Sequence, residues 1–353
     1  MTYKETLFFI GRCLTISLEN NNRVLVENDI KSGKVDWDNT VKLSTAHYVF
    51  PALYCNLKRA NLLSFLPEDL VNYMQHITNL NRERNQQIIT QAKELNKLLL
   101  TNNITPIFLK GTGNLLEGLY EDIAERMVGD IDFIVSKEEY KKAAEILLKN
   151  GYSKIYKSNL RSHRHFDRIQ KKDRIAAVEI HRELLRDKYT NEFNYNLICK
   201  ETQTIGKLVF LSYPHQLSLS IIAYQINDHG HYYNTIPLRN AYDVFLLSQK
   251  TNSLEAIKKF KKFFTPLHHF LAICSKVLST KTIKYEENKS TKKIFHFFEK
   301  LITNSKFEEK HYKKIRKKLF FKSRISIVLN AFYKKEYSIW LIKRIIRGRQ
   351  KQY

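Results

Sequence analysis

Residues that interrupt or cross-link a polypeptide are scarce in this 353-residue chain, which has four cysteines, six prolines and ten glycines. The cysteines (Cys13, Cys55, Cys199 and Cys274) show no C-x-x-C spacing and no local histidine partners, so nothing supports a zinc site or a disulfide framework. No segment approaches the roughly 18 apolar residues of a membrane span, and the N-terminus lacks the features of a signal peptide. We expect a cytoplasmic protein with no transmembrane segment and with long helices.

Acidic residues are scarce in the last third of the chain. From Thr251 onward there are 27 Lys and Arg but only 7 Asp and Glu, whereas the first 250 residues hold 33 basic and 28 acidic groups. The net charge of +25 is therefore a property of the C-terminal third. It fits either a polyanion-binding surface or a compositional bias, since the whole chain is rich in Lys, Asn, Ile and Tyr.

Hydrophobic residues make up 43% of the chain, enough for a folded protein. The clearest helix begins at Pro67, where Glu68 and Asp69 complement the dipole of the first turn, and ends at Asn102 and Asn103. Its apolar residues recur every three or four positions and predict one buried face: Leu70, Met74, Ile77, Leu80, Ile88, Ala92, Leu95 and Leu99.

Between two helical regions the hydrophobic period becomes that of strands. We expect strands at 104–110, 129–135, 152–157, 162–169 and 174–182, the last two joined as a hairpin by the charged turn 170–173. Helices resume at Pro214, and Arg239 and Asp243 have the spacing of an i,i+4 ion pair. The predicted class is α+β. Four regions follow: N-terminal helices (1–103), an α/β core (104–205), helices packed on the core (206–278) and a Lys-rich helical extension (279–353).

Two aspartates on the 129–135 strand carry the clearest chemical signal. Asp130 and Asp132 leave the same face of the strand, roughly 7 Å apart, while Ile131 and Phe133 point into the core. Neighbouring carboxylates repel unless a cation neutralises them, and hard oxygen ligands suit Mg²⁺. On a later predicted strand, Val178 and Ile180 would face the core, and Glu179 would lie on the opposite face with His181. If the two strands pair, three carboxylates converge, enough for a two-metal site.

A lone D-x-D motif is weak evidence, because such pairs often mark a strand end in solvent. Upstream, however, LKGTG (109–113) predicts a strand that runs into a glycine turn at a helix N-terminus. Backbone N–H groups and the helix dipole there form a site for a triphosphate. It is no P-loop, since no G-K-[ST] follows. A strand, a glycine turn, a helix, a D-x-D strand and a third acid are what phosphoryl-type transfer from Mg–NTP requires.

The segment LKGTGNLLEGLYEDIAERMVGDIDFIV (109–135) resembles the motif of the uncharacterised nucleotidyltransferase family in the DNA polymerase β-like superfamily. That motif runs Lys-Gly, an aliphatic-rich helix, Tyr, Arg and an Asp-x-Asp strand. The matching residues are Lys110, Gly111, Leu115, Leu116, Tyr120, Arg126, Asp130, Ile131 and Asp132.

The resemblance continues in TAHYVFPALYCNL (45–57), EIH (179–181) and LRNAYD (238–243), so it spans about 41–250. Gly111-Thr112 replaces the superfamily's usual Gly-Ser, which preserves a hydroxyl. The Lys-rich end has no counterpart.

The resemblance implies a polymerase-β-like mixed sheet flanked by N-terminal and C-terminal helical regions. It implies a transferase that moves NMP from an NTP, with ATP as the expected nucleotide, to a hydroxyl acceptor. The expected catalytic ligands of Mg²⁺ (or Mn²⁺) are Asp130, Asp132 and Glu179. The residues expected to hold the triphosphate are Lys110, Gly111, Thr112 and Arg126. The acceptor is not readable: an RNA 3′ end, a protein side chain, a sugar and a small metabolite all remain open.

Three histidine segments carry weaker signals. His181 has the position of a general base, although a strand histidine is more often structural. RSHRHFDR (161–168) places His163, His165 and Asp167 on one strand face with metal-like spacing, but its arginines favour a substrate-facing or solvated strand. NDHGHYY (227–233) is interpreted as an interhelical loop.

The basic end, 279–353, leaves three hypotheses open. Lysine pairs alternate with Phe295, Phe297, Phe298, Phe320 and Phe321, and 325–347 can be drawn as one amphipathic helix. The aromatics could pack on the catalytic block, the lysines could bind RNA, DNA or another polyanion, or the helix could bind an anionic membrane surface. We expect a folded helical extension whose charge steers an anionic acceptor to the mouth of the site.

Two rival functions use the same residues. In one, the α/β block has lost catalysis and the basic end binds nucleic acid or a membrane surface. In the other, the acids serve a metal-dependent phosphohydrolase. The clustered carboxylates argue against the first, because a retired site has no reason to keep them.

Overall fold

The structure, a computed structural model, describes residues 1–155, 164–186 and 189–346. Its α-helices are α1 (Tyr3–Cys13), α2 (Asn20–Lys31), α3 (Trp37–Ala46), α4 (Phe50–Arg59), α5 (Glu68–Thr101), α6 (Lys110–Glu117), α7 (Tyr140–Lys149), α8 (Tyr195–Ile198), α9 (Tyr213–Ile222), α10 (Gly230–Tyr233), α11 (Leu238–Ser248), α12 (Ser253–Lys258), α13 (Phe264–Val277), α14 (Lys289–Thr303), α15 (Ser305–Tyr333) and α16 (Lys335–Ile346). Its strands are β1 (Ile107–Phe108), β2 (Asp130–Ile134), β3 (Tyr152–Lys154), β4 (Ile169–Lys171), β5 (Ala177–His181), β6 (Thr202–Ile205) and β7 (Leu208–Leu211).

The described strands form one mixed sheet in the order β3-β4-β5-β2-β1-β7-β6. Strand β2 pairs parallel with β5 and antiparallel with β1, which is parallel to β7. The outer pairs β3–β4, β4–β5 and β6–β7 are antiparallel. Helices precede and follow this sheet along the chain, so the predicted α+β fold class with flanking helical regions is confirmed.

The helix predicted to start at Pro67 is confirmed as α5, which has Pro67 as its N-cap and Asn102 as its C-cap. Much of its predicted apolar face is buried, including Met74 and Ile88. Leu80 is an exception, with 49% of its surface exposed. The next residue, Asn81, is buried instead, and its side chain is an amide.

Four buried amides on α5 tie the helix to the loops that lead into the sheet. Each donates its side-chain N–H to a backbone carbonyl oxygen: Asn81 to Ala124 (2.7 Å), Asn85 to Arg126 (2.7 Å), Gln91 to Ala176 (2.9 Å) and Asn96 to Lys207 (2.9 Å). Buried backbone groups must find partners. These bonds therefore hold the segments just before β2, β5 and β7, and help to set where those strands begin.

The predicted hairpin before β5 is confirmed, with Ile169 of β4 opposite Val178 of β5. Its turn lies further along the chain than predicted, because residues 170 and 171 belong to β4. Part of the strand predicted at 162–169 lies outside the described residues. The sequence missed the β6–β7 hairpin, whose two-residue turn begins at Gly206 in the left-handed region (φ 61°). Strand β7 lies beyond the boundary drawn at 205; the division into four regions stays a prediction.

The basic end is helical, and its first part packs on the rest of the chain. Phe298 in α14 and Ile315 in α15 are buried. The single helix predicted over 325–347 is wrong: α15 ends at Tyr333, Lys334 has an extended backbone (φ −130°), and α16 follows. Ser338 Oγ donates to the Ala331 carbonyl across this break and offsets part of the interrupted helical bonding.

The aromatics of α15 do not all pack on the catalytic block, as one hypothesis required. Phe320 and Phe321 are 52% and 62% exposed. Among the described helices, none is long and apolar enough to cross a lipid bilayer.

Candidate functional site

Two neighbouring parallel strands bring the predicted acids together. In the pairing of β2 with β5, Asp132 lies opposite Glu179. Residues opposite each other point to the same face of a sheet, and residues two apart on a strand share that face. Asp130 and His181 therefore join the cluster. One ligand atom from each of Asp132, Glu179 and His181 lies within 4.8 Å of the other two.

The alternate residues of both strands anchor the cluster in the core. Ile131 and Phe133 on β2, and Val178 and Ile180 on β5, are fully buried. Their burial fixes which face of each strand carries the acids, because a slip by one residue would expose the apolar set.

Asp132 accepts two charge-assisted contacts on one oxygen. Lys110 Nζ lies 2.7 Å and His181 Nε2 lies 2.8 Å from its Oδ1. Lys110, the first residue of α6, has a left-handed backbone (φ 53°), which is unfavourable for a residue other than glycine. Such backbone strain is concentrated at functional sites. Here it occurs at the residue whose ammonium group meets the acidic face.

Arg168 neutralises the other two acids, a role that the sequence did not reveal. Its guanidinium binds the Asp130 carboxylate, and its Nε lies 3.4 Å from Glu179 Oε1. The interpretation of RSHRHFDR as a substrate-facing strand hinted at this position, but only the β4–β5 pairing brings Arg168 over β2.

Burial and neighbouring cations have opposite effects on the pKa values of the three acids. Burial, and next the charge of Asp132, raise the pKa of Asp130. Burial also opposes ionisation of Asp132, but the charge of Lys110 and the hydrogen bond from His181 outweigh it and hold the pKa of Asp132 well below its usual range. For Glu179, burial is likewise outweighed by the His181 hydrogen bond, and its pKa is lowered. Asp132 and Glu179 are thus kept ionised while Asp130 resists ionisation.

The residues present fit a divalent metal. Among the residues that the structure describes, the three carboxylates of these two strands contact two fixed cations, Lys110 and Arg168. Burial, and next the charge of Asp132, raise the pKa of Asp130, and an additional cation would offset both effects. Carboxylate oxygens are the donors that Mg²⁺ prefers. Asp130, Asp132 and Glu179 would be its ligands.

The glycine turn expected to hold phosphates lies beside the acids. Gly111 and Thr112, in the first turn of α6, line the same cleft as the two aspartates. Thr112 is buried, and its Oγ1 donates to the Asp130 carbonyl at 2.5 Å, which ties the helix to the start of β2. A Cβ on Gly113 would lie 2.9 Å from the Phe108 carbonyl oxygen. Only glycine therefore allows α6 to approach β1 this closely.

Arg126, also expected to hold phosphate, is buried against Asp243. Its Nε lies 2.9 Å from Oδ1 and its Nη2 2.9 Å from Oδ2, while the Tyr120 hydroxyl donates to Oδ1 at 2.7 Å. The predicted i,i+4 pair between Arg239 and Asp243 is wrong for the described chain, because these donors already occupy the carboxylate. Arg126 borders the cleft, and its contact with phosphate stays a prediction.

A cleft of about 500 Å³ opens over the acids, and its second wall carries Arg164 and Arg239 beside Tyr48 and Tyr224. Asp228 lies on this wall, and burial raises the pKa of its carboxyl. Four cations act on it electrostatically: Arg164, Lys110, Arg186 and Arg239. The interhelical loop expected at 227–233 is thus partly wrong, since 230–233 form α10 and Asp228 faces the cleft.

Arg239 is the residue of this wall that the sequence most clearly misassigned. Its guanidinium lies over the Tyr48 ring, 4.9 Å from the centroid. Its Nε is buried and has no hydrogen-bond partner among the described residues. Burial, and next the charge of Arg126, lower its pKa. A buried donor without an acceptor is unfavourable, so Arg239 is prepared for an anion in the cleft. The sequence signal for Arg239 was its place in the LRNAYD segment (238–243), which resembles the family.

The metal-like spacing in RSHRHFDR does not form a metal cluster among the described residues. The His165 ring lies 5.4 Å from the His181 ring, and its Nδ1 donates to the Phe166 carbonyl. Asp167 pairs with Lys154 at 2.9 Å, and His163 lies outside the described residues. The interpretation of 161–168 as a substrate-facing or solvated strand stays a prediction.

Comparison with known families matches residues 33–279 to the uncharacterised nucleotidyltransferase family, which confirms the resemblance seen in the sequence. The matched range covers more than two thirds of the chain and every residue of the cleft described above. No curated protein and no solved structure matches the chain. The family supports nucleotidyl transfer from a nucleotide substrate at a general level, and the acidic cluster supports use of a divalent metal. The chain belongs to the uncharacterised nucleotidyltransferase family.

Proposed function

We propose that this protein is a Mg²⁺-dependent enzyme that transfers NMP from an NTP, with ATP the expected nucleotide, to a hydroxyl acceptor. The observation that carries the proposal is the register of Asp132 with Glu179, next to the N-terminus of α6. Asp130, Asp132 and Glu179 would hold the metal. When bound, Mg²⁺ would neutralise phosphate charge and lower the pKa of the acceptor hydroxyl. The nucleoside triphosphates for this reaction would come from the cytoplasm, where we expect the protein to act.

The protein's own groups supply binding and orientation. The first amides of α6, at Gly111 and Thr112, point a partial positive charge at the triphosphate. Lys110 is shared with Asp132 at 2.7 Å and would move its charge to phosphate when a metal replaces it. His181 is only 1% exposed and hydrogen-bonds Asp132, so we assign it to positioning that carboxylate and not to proton transfer.

The basic wall opposite the acids would hold the far end of the triphosphate or an anionic acceptor. Arg239→Gln is expected to raise the KM for NTP about 10- to 100-fold with a smaller change in kcat, since a charge-assisted hydrogen bond contributes about 1.5–3 kcal/mol. Steady-state kinetics over a range of NTP concentrations measures this. Arg23→Gln, at an exposed arginine of α2, is the control and should leave KM unchanged. An unchanged KM in Arg239→Gln would remove this wall from nucleotide binding.

Transfer itself is tested with α-labelled NTPs. The full-length protein is incubated with Mg²⁺, a cell extract as acceptor source and each NTP in turn. We expect label on a macromolecule or metabolite, strongest with ATP, and none with Asp130→Asn. Release of free NMP would instead identify a phosphohydrolase. NTP binding without turnover under any of these conditions would identify a binding protein, and either outcome contradicts the proposal.

A further inference from the structure

The C-terminal half of α15 carries an apolar stripe that the protein does not cover. Phe321, Ile325, Val328, Leu329 and Phe332 recur at i, i+4, i+7, i+8 and i+11, so they share one helix face. Their exposed fractions are 62%, 60%, 44%, 56% and 78%. Scattered exposed apolar residues are ordinary, but a continuous stripe of this kind marks an interaction surface.

Helix α16 folds against α15 and extends this surface. Ile339, Ile342 and Ile346 recur at i, i+3 and i+7 and are 43%, 55% and 77% exposed. The two helices form a hairpin, held in part by the bond from Ser338 to Ala331. The hairpin lies outside the range matched to the family, 33–279.

The charge of the hairpin is almost wholly of one sign. Residues 310–346 contain twelve Lys and Arg and one acidic residue, Glu336. On α15, Lys314, Lys317 and Lys318 lie in the two turns before the stripe, and Lys322 and Arg324 lie within its length. Long basic side chains at the edge of an apolar stripe can keep their charge in a polar layer while their stems follow the apolar surface.

We propose that the α15–α16 hairpin docks on the surface of an anionic phospholipid membrane. The exposed apolar side chains would enter the headgroup–acyl boundary, and the lysines would meet lipid phosphates. The surface combines an apolar stripe with lysines. Nucleic acid would attract the lysines but would leave the apolar stripe exposed to water. A second copy would bring twelve more basic residues against the first. A protein partner with an acidic groove is also disfavoured. Such a groove encloses a single helix, and α16 already covers one side of α15.

Docking would also orient the cleft, because α15 contacts α10. His311 Nε2 lies 3.0 Å from the Tyr232 carbonyl oxygen, and Lys322 Nζ donates to the Tyr232 hydroxyl at 3.1 Å. Helix α10 begins two residues after the cleft residue Asp228. The basic wall of the cleft is thereby linked to the membrane-facing helix through one short segment.

Vesicle flotation of the full-length protein tests the proposal. We expect the protein to float with phosphatidylcholine vesicles that contain about 30% phosphatidylglycerol and not with phosphatidylcholine alone. The triple variant Phe321→Ser, Ile325→Ser, Leu329→Ser keeps the charge and should lower the partition coefficient at least about tenfold. The second variant, Lys314→Gln, Lys317→Gln, keeps the stripe and should lower the partition coefficient about fivefold per lysine.

The matched control is Leu18→Ser, Val24→Ser, Leu25→Ser, because these residues are 56%, 57% and 50% exposed elsewhere on the surface. It should float as wild type does, and circular dichroism should show equal helicity in all variants. Flotation with both vesicle types, with neither, or unchanged in the stripe variant overturns the proposal. The proposal is also overturned if the protein does not bind vesicles but binds RNA, and only the lysine variant loses RNA binding. A dimer that the stripe variant dissociates, again without vesicle binding, overturns it in favour of self-association.

Discussion

Asp132→Asn is expected to lower nucleotide turnover at least about a thousand-fold, the scale on which catalytic charges act in phosphoryl-type transfer. The substitution removes a metal ligand and also the acceptor shared by Lys110 and His181, whose nitrogens lie 2.7 and 2.8 Å from Oδ1. Losing a hydrogen bond to a charged group also costs about 1.5–3 kcal/mol of stability. Single-turnover assays at saturating Mg²⁺ and urea unfolding measure the two effects separately.

Asp130→Asn separates these effects. Turnover should fall on the same scale, but stability should fall less, because the ion-pair partner that Asp130 loses, Arg168, has 46% of its side chain exposed and the pair is screened by solvent. The sequence predicts an intact fold for both variants, and the structure limits that expectation to Asp130. Asp38→Asn, at an exposed aspartate of α3, serves as control. Wild-type turnover in folded Asp132→Asn would contradict the assignment of the site.

Asp243→Ala is expected to lower the free energy of unfolding by about 3–5 kcal/mol, the effect of leaving one partner of a buried ion pair without the other. Arg126 is 7% exposed and Asp243 is 2% exposed. The variant leaves the Arg126 guanidinium charged and buried, and the Tyr120 hydroxyl loses its acceptor. The free energy of unfolding of a natural domain is only about 5–15 kcal/mol in total, so the urea concentration at the unfolding midpoint should fall sharply.

An exposed ion pair provides the matched control for this measurement. Glu27 and Lys31 pair at 2.5 Å on α2 with 33% and 47% of their side chains exposed. Glu27→Ala should change stability by no more than about 0.5 kcal/mol, because exposed pairs are screened by solvent. The double variant Arg126→Met, Asp243→Leu should regain stability relative to Asp243→Ala, since it leaves no buried charge. An Asp243→Ala effect as small as that of Glu27→Ala would show that Arg126 does not depend on this carboxylate.

The local elements of the site can be predicted from the amino-acid sequence. The long helix was readable from its caps and apolar period, and strand β2 from the alternation of Asp130 and Asp132 with Ile131 and Phe133. These features depend on backbone geometry and on solvent, which act within a few residues of chain. The face that Glu179 occupies was readable for the same reason, and so was the glycine turn.

Which strands and which charges come into contact depends on long-range packing. The parallel register of β2 with β5 joins residues about fifty positions apart, and no local period specifies it. Arg126 binds Asp243 across 117 residues, which left Arg239, the neighbour that helical spacing favoured, directed to the cleft. A charged side chain takes the partner that best offsets its loss of hydration, and that partner is set by packing. Composition showed a basic C-terminus, but only the fold showed that its apolar stripe remains exposed, because burial depends on what packs against a helix and not on the helix alone.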